Sequence, residues 1–407
     1  MSRVIQRQWS NDLSAPSRRD RQTCEYEAYV PDILVGRPIT LRGDVAADIT
    51  DAESAIARLD VEATSLGDTE ALARILLRAE AVASSRIEGL EVGARRLLRA
   101  EAAAQLGEHP SDVTAMDVLA NIDAMASAVR GLNPGDTITV DHLLAFHRRL
   151  LTGTRLEAHG GRIRTEQNWI GGSDYNPCSA AFVPPPAEFV SDLLDDLCAF
   201  CNDDSLPAVA QAAMAHAQFE TIHPFVDGNG RTGRALIHLV LRRRGLAVRV
   251  LPPVSLVLAT WAKDYIDGLV ATRYRGPATS RAAQDGLNLW VGRFAGACRR
   301  AVEDAASYER RAHEIETEWR RRVGRIRSRS ATDLLLRALL GAPVVTVTSA
   351  ASLIGRSFPQ TNEAITRLGD AGVLEQVTVG RRNRAFEAPD IIEAFTDLER
   401  PARQPRG

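Results

Sequence analysis

Fourteen consecutive residues, Thr221-Ile222-His223-Pro224-Phe225-Val226-Asp227-Gly228-Asn229-Gly230-Arg231-Thr232-Gly233-Arg234, gather one imidazole, one carboxylate, three glycines and two guanidinium groups. Glycine lets the backbone approach an anion closely and take positive φ, Asn tolerates the same region, and N–H groups opening a helix point at negative charge. Arg231 and Arg234 are three residues apart, so on a helix they project from neighbouring positions of one turn, and each can fork two donors onto phosphate oxygens. Asp227 is the natural ligand for Mg²⁺, which takes one or two carboxylates and completes its octahedron with phosphate oxygens and water. His223, with an ordinary pKa of about 6.5, suits proton removal from an attacking hydroxyl near neutral pH. The set points to phosphoryl or nucleotidyl transfer from a Mg²⁺-bound nucleotide.

Two helices must position these groups. Residues 207–219 are rich in Ala and apolar residues at helical spacing, and His223-Pro224 ends that helix because a residue before proline is biased out of the α region. Downstream, Leu236, Ile237, Val240 and Leu241 keep a 3.6-residue period that starts near Gly230, so the Gly228-Asn229-Gly230 turn opens a second helix.

H-P-F-V-D-G-N-G-R-T-G-R resembles the signature of the Fic family, H-P-F-x-[D/E]-G-N-G-R-x-x-R, at every fixed position. The resemblance implies a helical core that moves AMP from ATP onto a hydroxyl side chain of a target protein and releases pyrophosphate. By that resemblance His223 is the general base, Asp227 the Mg²⁺ ligand, and Gly228, Asn229, Gly230 and Arg231 the cradle of the α- and β-phosphates. Thr232 and Gly233 continue the nucleotide site and Arg234 holds the γ-phosphate. The related Doc toxins phosphorylate instead and lack the second arginine, so Gly230 and Arg234 favour the adenylylating branch.

Two further stretches and one residue carry the same resemblance. Ser84-Ser85-Arg86-Ile87-Glu88-Gly89, at the end of a helix expected over 69–87, is similar to the family's inhibitory motif [S/T]-x-x-x-E-[G/N]. Through it Ser84 and Glu88 become regulatory, with Glu88 pairing with Arg234 in place of phosphate. Residues 160–186, with Gly-x-Ile-Arg, Trp169-Ile170-Gly171-Gly172-Ser173 and Phe182-Val183-Pro184-Pro185-Pro186, resemble the Fic flap, a hairpin that pairs with the target backbone. Ile170, Gly171 and Gly172 then lie over the nucleotide. Tyr265 takes a place bordering the adenine. Removal of AMP by the same site, with Glu88 aligning a water, is a second enzymatic possibility.

The chain of 407 residues is 45% hydrophobic, ample for a buried core, and its formal net charge of -2 exerts no overall pull on nucleic acid or membrane. Its five cysteines are odd in number and irregularly spaced, unlike a disulfide framework; Cys198 and Cys201 read as buried thiols on one helix face. No signal-like or membrane-length apolar run occurs, and a reducing cytoplasm is expected. His142 and His147 read as packing or surface histidines.

The fold class expected is mainly α: a Fic-type helical core with a β-hairpin flap, followed by a small winged helix-turn-helix domain. Residues 1–135 form an N-terminal helical region carrying the inhibitory motif, polar and disordered up to about Asp20; 136–305 form the core, 306–330 a solvated charged helix, and 331–400 the winged helix. In the last, Gln360, Thr361, Asn362 and Arg367 could reach bases, and the arginines around Gly380-Arg381-Arg382-Asn383-Arg384 could reach phosphates. A DNA-binding regulator that senses nucleotide is the rival reading. The expected partners are a target protein bearing an exposed hydroxyl, the chain itself, DNA through the winged helix, and a second copy in a homodimer.

Overall fold

The computed structural model describes residues 1–10, 15–18, 20–62, 69–108, 112–379 and 383–400. Helices dominate, as the periodicity predicts. Packing divides the chain into two compact units, each drawn from three stretches: 1–53, 127–245 and 263–296 in one, 54–126, 246–262 and 297–407 in the other. The segments read from the sequence are thus distributed between two interleaved units.

The first unit is built around helix Ala208–Ile222, every residue of which is buried. Small or apolar side chains occupy most of its faces, the composition of a helix surrounded by others. Helix Asn229–Arg243 lies against it, and a Cβ on Gly233 would stand 2.6 Å from Glu220 Oε1 and 2.9 Å from Phe219 Cδ1, so glycine permits the approach. Trp290, fully buried, donates its indole N–H to the Ala213 carbonyl at 2.7 Å.

Two expectations fail in this unit. Strand Arg3–Trp9 pairs antiparallel with strand Cys24–Val30, in register from Arg3 opposite Val30 to Trp9 opposite Cys24, so the N-terminal stretch is not disordered there. Its polarity reflects an exposed ribbon held by backbone bonds and cross-strand pairs such as Gln6 Nε2 to Glu27 Oε1 at 2.9 Å. Residues 11–14 and 19 of that stretch lie outside the described residues. The second failure is that Cys24 and Cys178 are disulfide-bonded, their Cα atoms 5.8 Å apart. A separation of 154 residues leaves no local signature; the pair meets only because Cys24–Val30 folds against the turn Pro177–Ser179. The reducing-cytoplasm reading loses the support it drew from the cysteine pattern. Cys198, Cys201 and Cys298 are free and buried, and burial pushes the Cys198 thiol up to about 12.

In the second unit, helix Thr69–Ile87 shares one core with the C-terminal elements: Ile75, Leu76 and Ala79 pack with Tyr308, Trp319, Leu335, Leu336, Leu339 and Phe395. The charged stretch after Asp304 is therefore not a solvated linker. Tyr308, Ala312, Ile315 and Trp319 form a buried stripe at helical spacing within helix Arg281–Val323, concealed in the sequence by the arginines and glutamates between them. The C-terminal elements run Ala331–Ala338, Val344–Val345, Val347–Ile354, Phe358–Asp370, Glu375–Val379 and Asn383–Glu387, closed by helix Pro389–Glu399, with the short strand Val344–Val345 and the last helix added to the three helices and hairpin expected. The antiparallel sheet places Asn383–Glu387 between the other two strands.

Of the four residues expected to reach bases, Thr361 is fully buried with its hydroxyl on the Ser357 carbonyl, and the Gln360 side chain caps its own helix at Ser357. Arg367 donates to the Arg325 carbonyl at 2.6 Å, and Asn362 remains exposed. Wing residues Gly380, Arg381 and Arg382 lie outside the described residues. Among the described residues, no helix is long and apolar enough to cross a membrane.

Glu80, with no exposed surface, accepts from the Ser255 amide at 2.7 Å and from the Ser255 hydroxyl, which fixes the first turn of helix Val254–Thr260 on helix Thr69–Ile87. Replacing Glu80 by Ala strands two buried donors, and urea unfolding is expected to show a loss of about 2–4 kcal/mol.

Candidate active site

Helix Ala208–Ile222 ends on His223, which adopts φ 50° and ψ 61° and bonds its amide to Phe219 O at 2.9 Å. A left-handed conformation at a residue other than glycine is strained, and here it turns the chain out of one helix and toward the next. Gly228, also left-handed at φ 74°, is the N-cap of helix Asn229–Arg243. A helix C-terminus and a helix N-terminus are thus joined by the short connection 223–228, with the His223 imidazole at one end and the amides of the first helical turn at the other.

Side chains from the loop itself close it. Asn229 Oδ1 accepts from the Phe225 amide at 2.8 Å, and Asn229 Nδ2 donates to the Phe225 carbonyl at 2.9 Å. Its side chain therefore holds the turn, and what it offers a phosphate is its backbone N–H. Thr232 is buried with its hydroxyl on Gly228 O at 2.9 Å, and Gly233 faces Glu220 and Phe219, so both serve helix packing. Arg231 lies 3.3 Å from Asp227, whose carboxylate is about half exposed beside the helix N-terminus. One accessible carboxylate next to an anion cradle fits Mg²⁺ carried by a polyphosphate; among the described residues no cluster of three or more potential metal-binding side chains occurs.

Arg234 has 1% of its surface exposed. Tyr265 stands behind it: its hydroxyl is 3.5 Å from Arg234 Nη1 and 2.9 Å from His216 Nε2, and the Tyr265 and His216 rings are stacked. Burial, with the charge of Arg234 beside it, lowers the His216 pKa to about 3, so the ring is neutral. Tyr265, expected to border the adenine, is buried and also reaches the arginine with its hydroxyl.

The flap is anchored to the loop by groups the motif reading passed over. Arg164, 4% exposed, donates from Nε to His223 O at 2.9 Å and from its terminal nitrogens to Glu166 O and Pro185 O, while its amide donates to Pro224 O at 2.9 Å. Burial lowers its pKa to about 10, still a cation, and it sits where a helix C-terminus exposes carbonyls. Asn168 Nδ2 donates to His223 O at 3.1 Å and Phe225 O at 3.0 Å. Beyond it, Ile170 bridges Phe182 by one antiparallel pair. Gly171 and Gly172 take φ of 73° and 83°, and a Cβ on Gly172 would stand 2.5 Å from Ser179 O. The flap is thus a narrow, single-bridge hairpin. Arg273 stacks over its Phe182 ring at 3.5 Å.

Ser84 and Glu88 belong to the second unit. Helix Thr69–Ile87 ends as the sequence predicts, with Gly89 at φ 80° and the Leu90 amide returning to Ser85 O at 3.0 Å. Ser84 is fully buried.

A family model described as Fic/DOC family matches residues 137–241, and one described as Fic/DOC family N-terminal matches residues 46–130. Protein adenylyltransferase fic-1 of Caenorhabditis elegans is 37% identical over 150 residues, 35% of this chain and 27% of the relative. Protein adenylyltransferase Fic of Culex quinquefasciatus is 36% identical over 126 residues, 30% of this chain and 22% of the relative. The chain therefore spans about a quarter of the length of the curated relatives it matches. The crystal structure of a Fic family protein from Desulfovibrio desulfuricans shares the fold, with a TM-score of 0.55 at 23% identity over 86% of this chain and 98% of that one.

Lysine cannot reproduce the fork of Arg164. Arg164→Lys is expected to lower the unfolding free energy by about 2–3 kcal/mol in a denaturant titration, with amide exchange of residues 223–228 rising relative to the rest of the chain.

Proposed function

From the match of residues 46–130 and 137–241 to the Fic/DOC family models, we propose that the chain is an ATP-dependent protein adenylyltransferase that modifies a hydroxyl of a target protein. The observation that carries the reading is the 223–234 geometry: an imidazole at one helix end, the first turn of a second helix six residues later, and a buried guanidinium one turn further on.

The substrate triphosphate lies along the N-terminus of helix Asn229–Arg243, with the first-turn amides and Arg231 on the α- and β-phosphates and Arg234, braced by Tyr265, on the γ-phosphate. Asp227 holds the Mg²⁺, which when bound neutralises developing phosphate charge. His223 takes the proton of a Tyr, Ser or Thr hydroxyl as its oxygen attacks the α-phosphorus. The bond from that phosphorus to the α,β-bridging oxygen breaks, pyrophosphate leaves, and a phosphodiester joins AMP to the target. Ile170, Gly171 and Gly172 present the flap backbone to the target segment, which places the hydroxyl. Positioning and charge stabilisation supply most of the rate.

Glu88 regulates this site by engaging Arg234, because a guanidinium held by a carboxylate cannot also receive a γ-phosphate. The rival reading as a DNA-binding regulator has less support, since burial of Thr361 and the internal bonds of Gln360 and Arg367 leave few of its proposed base contacts free.

ATP labelled at the α-phosphate is expected to mark protein and ATP labelled at the γ-phosphate not to, with the signal lost in His223→Ala; label from the γ-position overturns the reaction class. Glu88→Gly is expected to raise α-label transfer by about tenfold or more, and equal rates in folded variant and parent remove Glu88 from regulation.

A further inference from the structure

His147, on helix Val140–Leu151, has no role in the scheme above, yet it touches both the flap and the nucleotide loop. It has no exposed surface, and its ring stacks on Phe225 with centroids 3.7 Å apart and planes within 5°. Gly161 N–H, at the start of the flap, donates to its Nδ1 at 3.0 Å. Its Nε2 lies 2.9 Å from the Asp227 carbonyl. An amide N–H only donates and a carbonyl only accepts, so Nδ1 is the bare nitrogen and Nε2 carries the hydrogen. A Cβ on Gly228 would come 3.4 Å from the ring, which shows how closely the turn is laid against it.

We propose that His147 is a positioning residue that sets the register of the flap against the nucleotide loop. Resting on the adenylyltransferase reading, this deepens it. The Asp227–Gly228 peptide that His147 holds separates the metal-binding carboxylate from the anion cradle, and Gly161 is the residue from which the chain runs to Arg164 and the target-binding edge. One ring therefore fixes both reacting partners from behind. The requirement is specific: an acceptor and a donor on one planar side chain. A phenyl ring keeps the stacking and loses both bonds. A glutamine amide offers both functions, with a carbonyl for Gly161 and an N–H for Asp227.

The test uses the full chain in a Glu88→Gly background, comparing the parent with His147→Phe and His147→Gln by α-label transfer and by site-resolved amide exchange. His147→Phe is expected to lose about ten- to a hundredfold in kcat and to expose the Gly161 amide, while His147→Gln stays within about threefold of the parent and keeps Gly161 protected. Full activity in His147→Phe, Gly161 protection unchanged in it, or glutamine as slow as phenylalanine overturns the assignment. If His147→Phe does not fold, exchange in His147→Gln decides: protection kept supports the bridge, protection lost overturns it. A parent that transfers no label refutes the adenylyltransferase reading, and the exchange measurement still decides whether His147 ties the flap to the loop.

Discussion

The constraint on which the site depends is that two helices of opposite polarity are joined by a connection too short to relax. Helix Ala208–Ile222 presents carbonyls at its C-terminal end and helix Asn229–Arg243 presents amides at its N-terminal end. The negative end of a helix favours a cation and the positive end an anion. On the proposed reading, a base at His223 that gains a proton and a polyphosphate at the Gly228-Asn229-Gly230 turn would each meet the helix end that suits its charge. This separation of charge is set by backbone direction and would survive replacement of many side chains.

Such a connection cannot hold its own shape. His223 in the left-handed region costs on the order of 1 kcal/mol or more, and carbonyls at a helix end need partners. Arg164 and Asn168 converge on His223 O, Asn168 and Asn229 both donate to Phe225 O, and Arg164 Nε and amide together secure two successive carbonyls, those of His223 and Pro224. The groups that satisfy the strained turn come mainly from the flap. The strained turn and the flap base thus share their hydrogen bonds, which accounts for a deeply buried guanidinium in a loop region.

The candidate groups of the site were legible because they are local. Base, carboxylate, cradle and guanidinium groups stand within fourteen residues, and helix ends at His223-Pro224 and at Gly89 follow from φ preferences of single residues. What supports those groups was not legible, because each partner is remote in sequence: Arg164 acts 59 residues from His223, His147 acts 80 residues from Asp227, and Tyr265 stands 31 residues from Arg234. His147 looked like one more histidine on an amphipathic helix, and nothing at helical spacing marks it. The same limit hid the Cys24–Cys178 bond and the pairing of Arg3–Trp9. Composition misled where it averages over faces, as in helix Arg281–Val323, whose charged residues outnumber the stripe that packs.

The placement of the Ser84 to Gly89 sequence follows from that stripe. Helix Thr69–Ile87, which ends in the Ser84 to Gly89 sequence, owes its position to Leu335, Leu336, Leu339 and Phe395 of the C-terminal elements and to Tyr308 and Trp319. A Cβ on Gly341 would stand 2.6 Å from the Ala71 backbone, and Arg86, one turn from the end of the motif, donates to Glu399 O at 2.8 Å. Arg78 joins Glu101 at 2.6 Å and reaches Gly341 O. The motif is thus rooted in a core whose larger part lies beyond residue 300. Helix Thr69–Ile87 therefore shares its core with elements far beyond it in sequence, while its end is closed locally by Gly89 and the Leu90 amide.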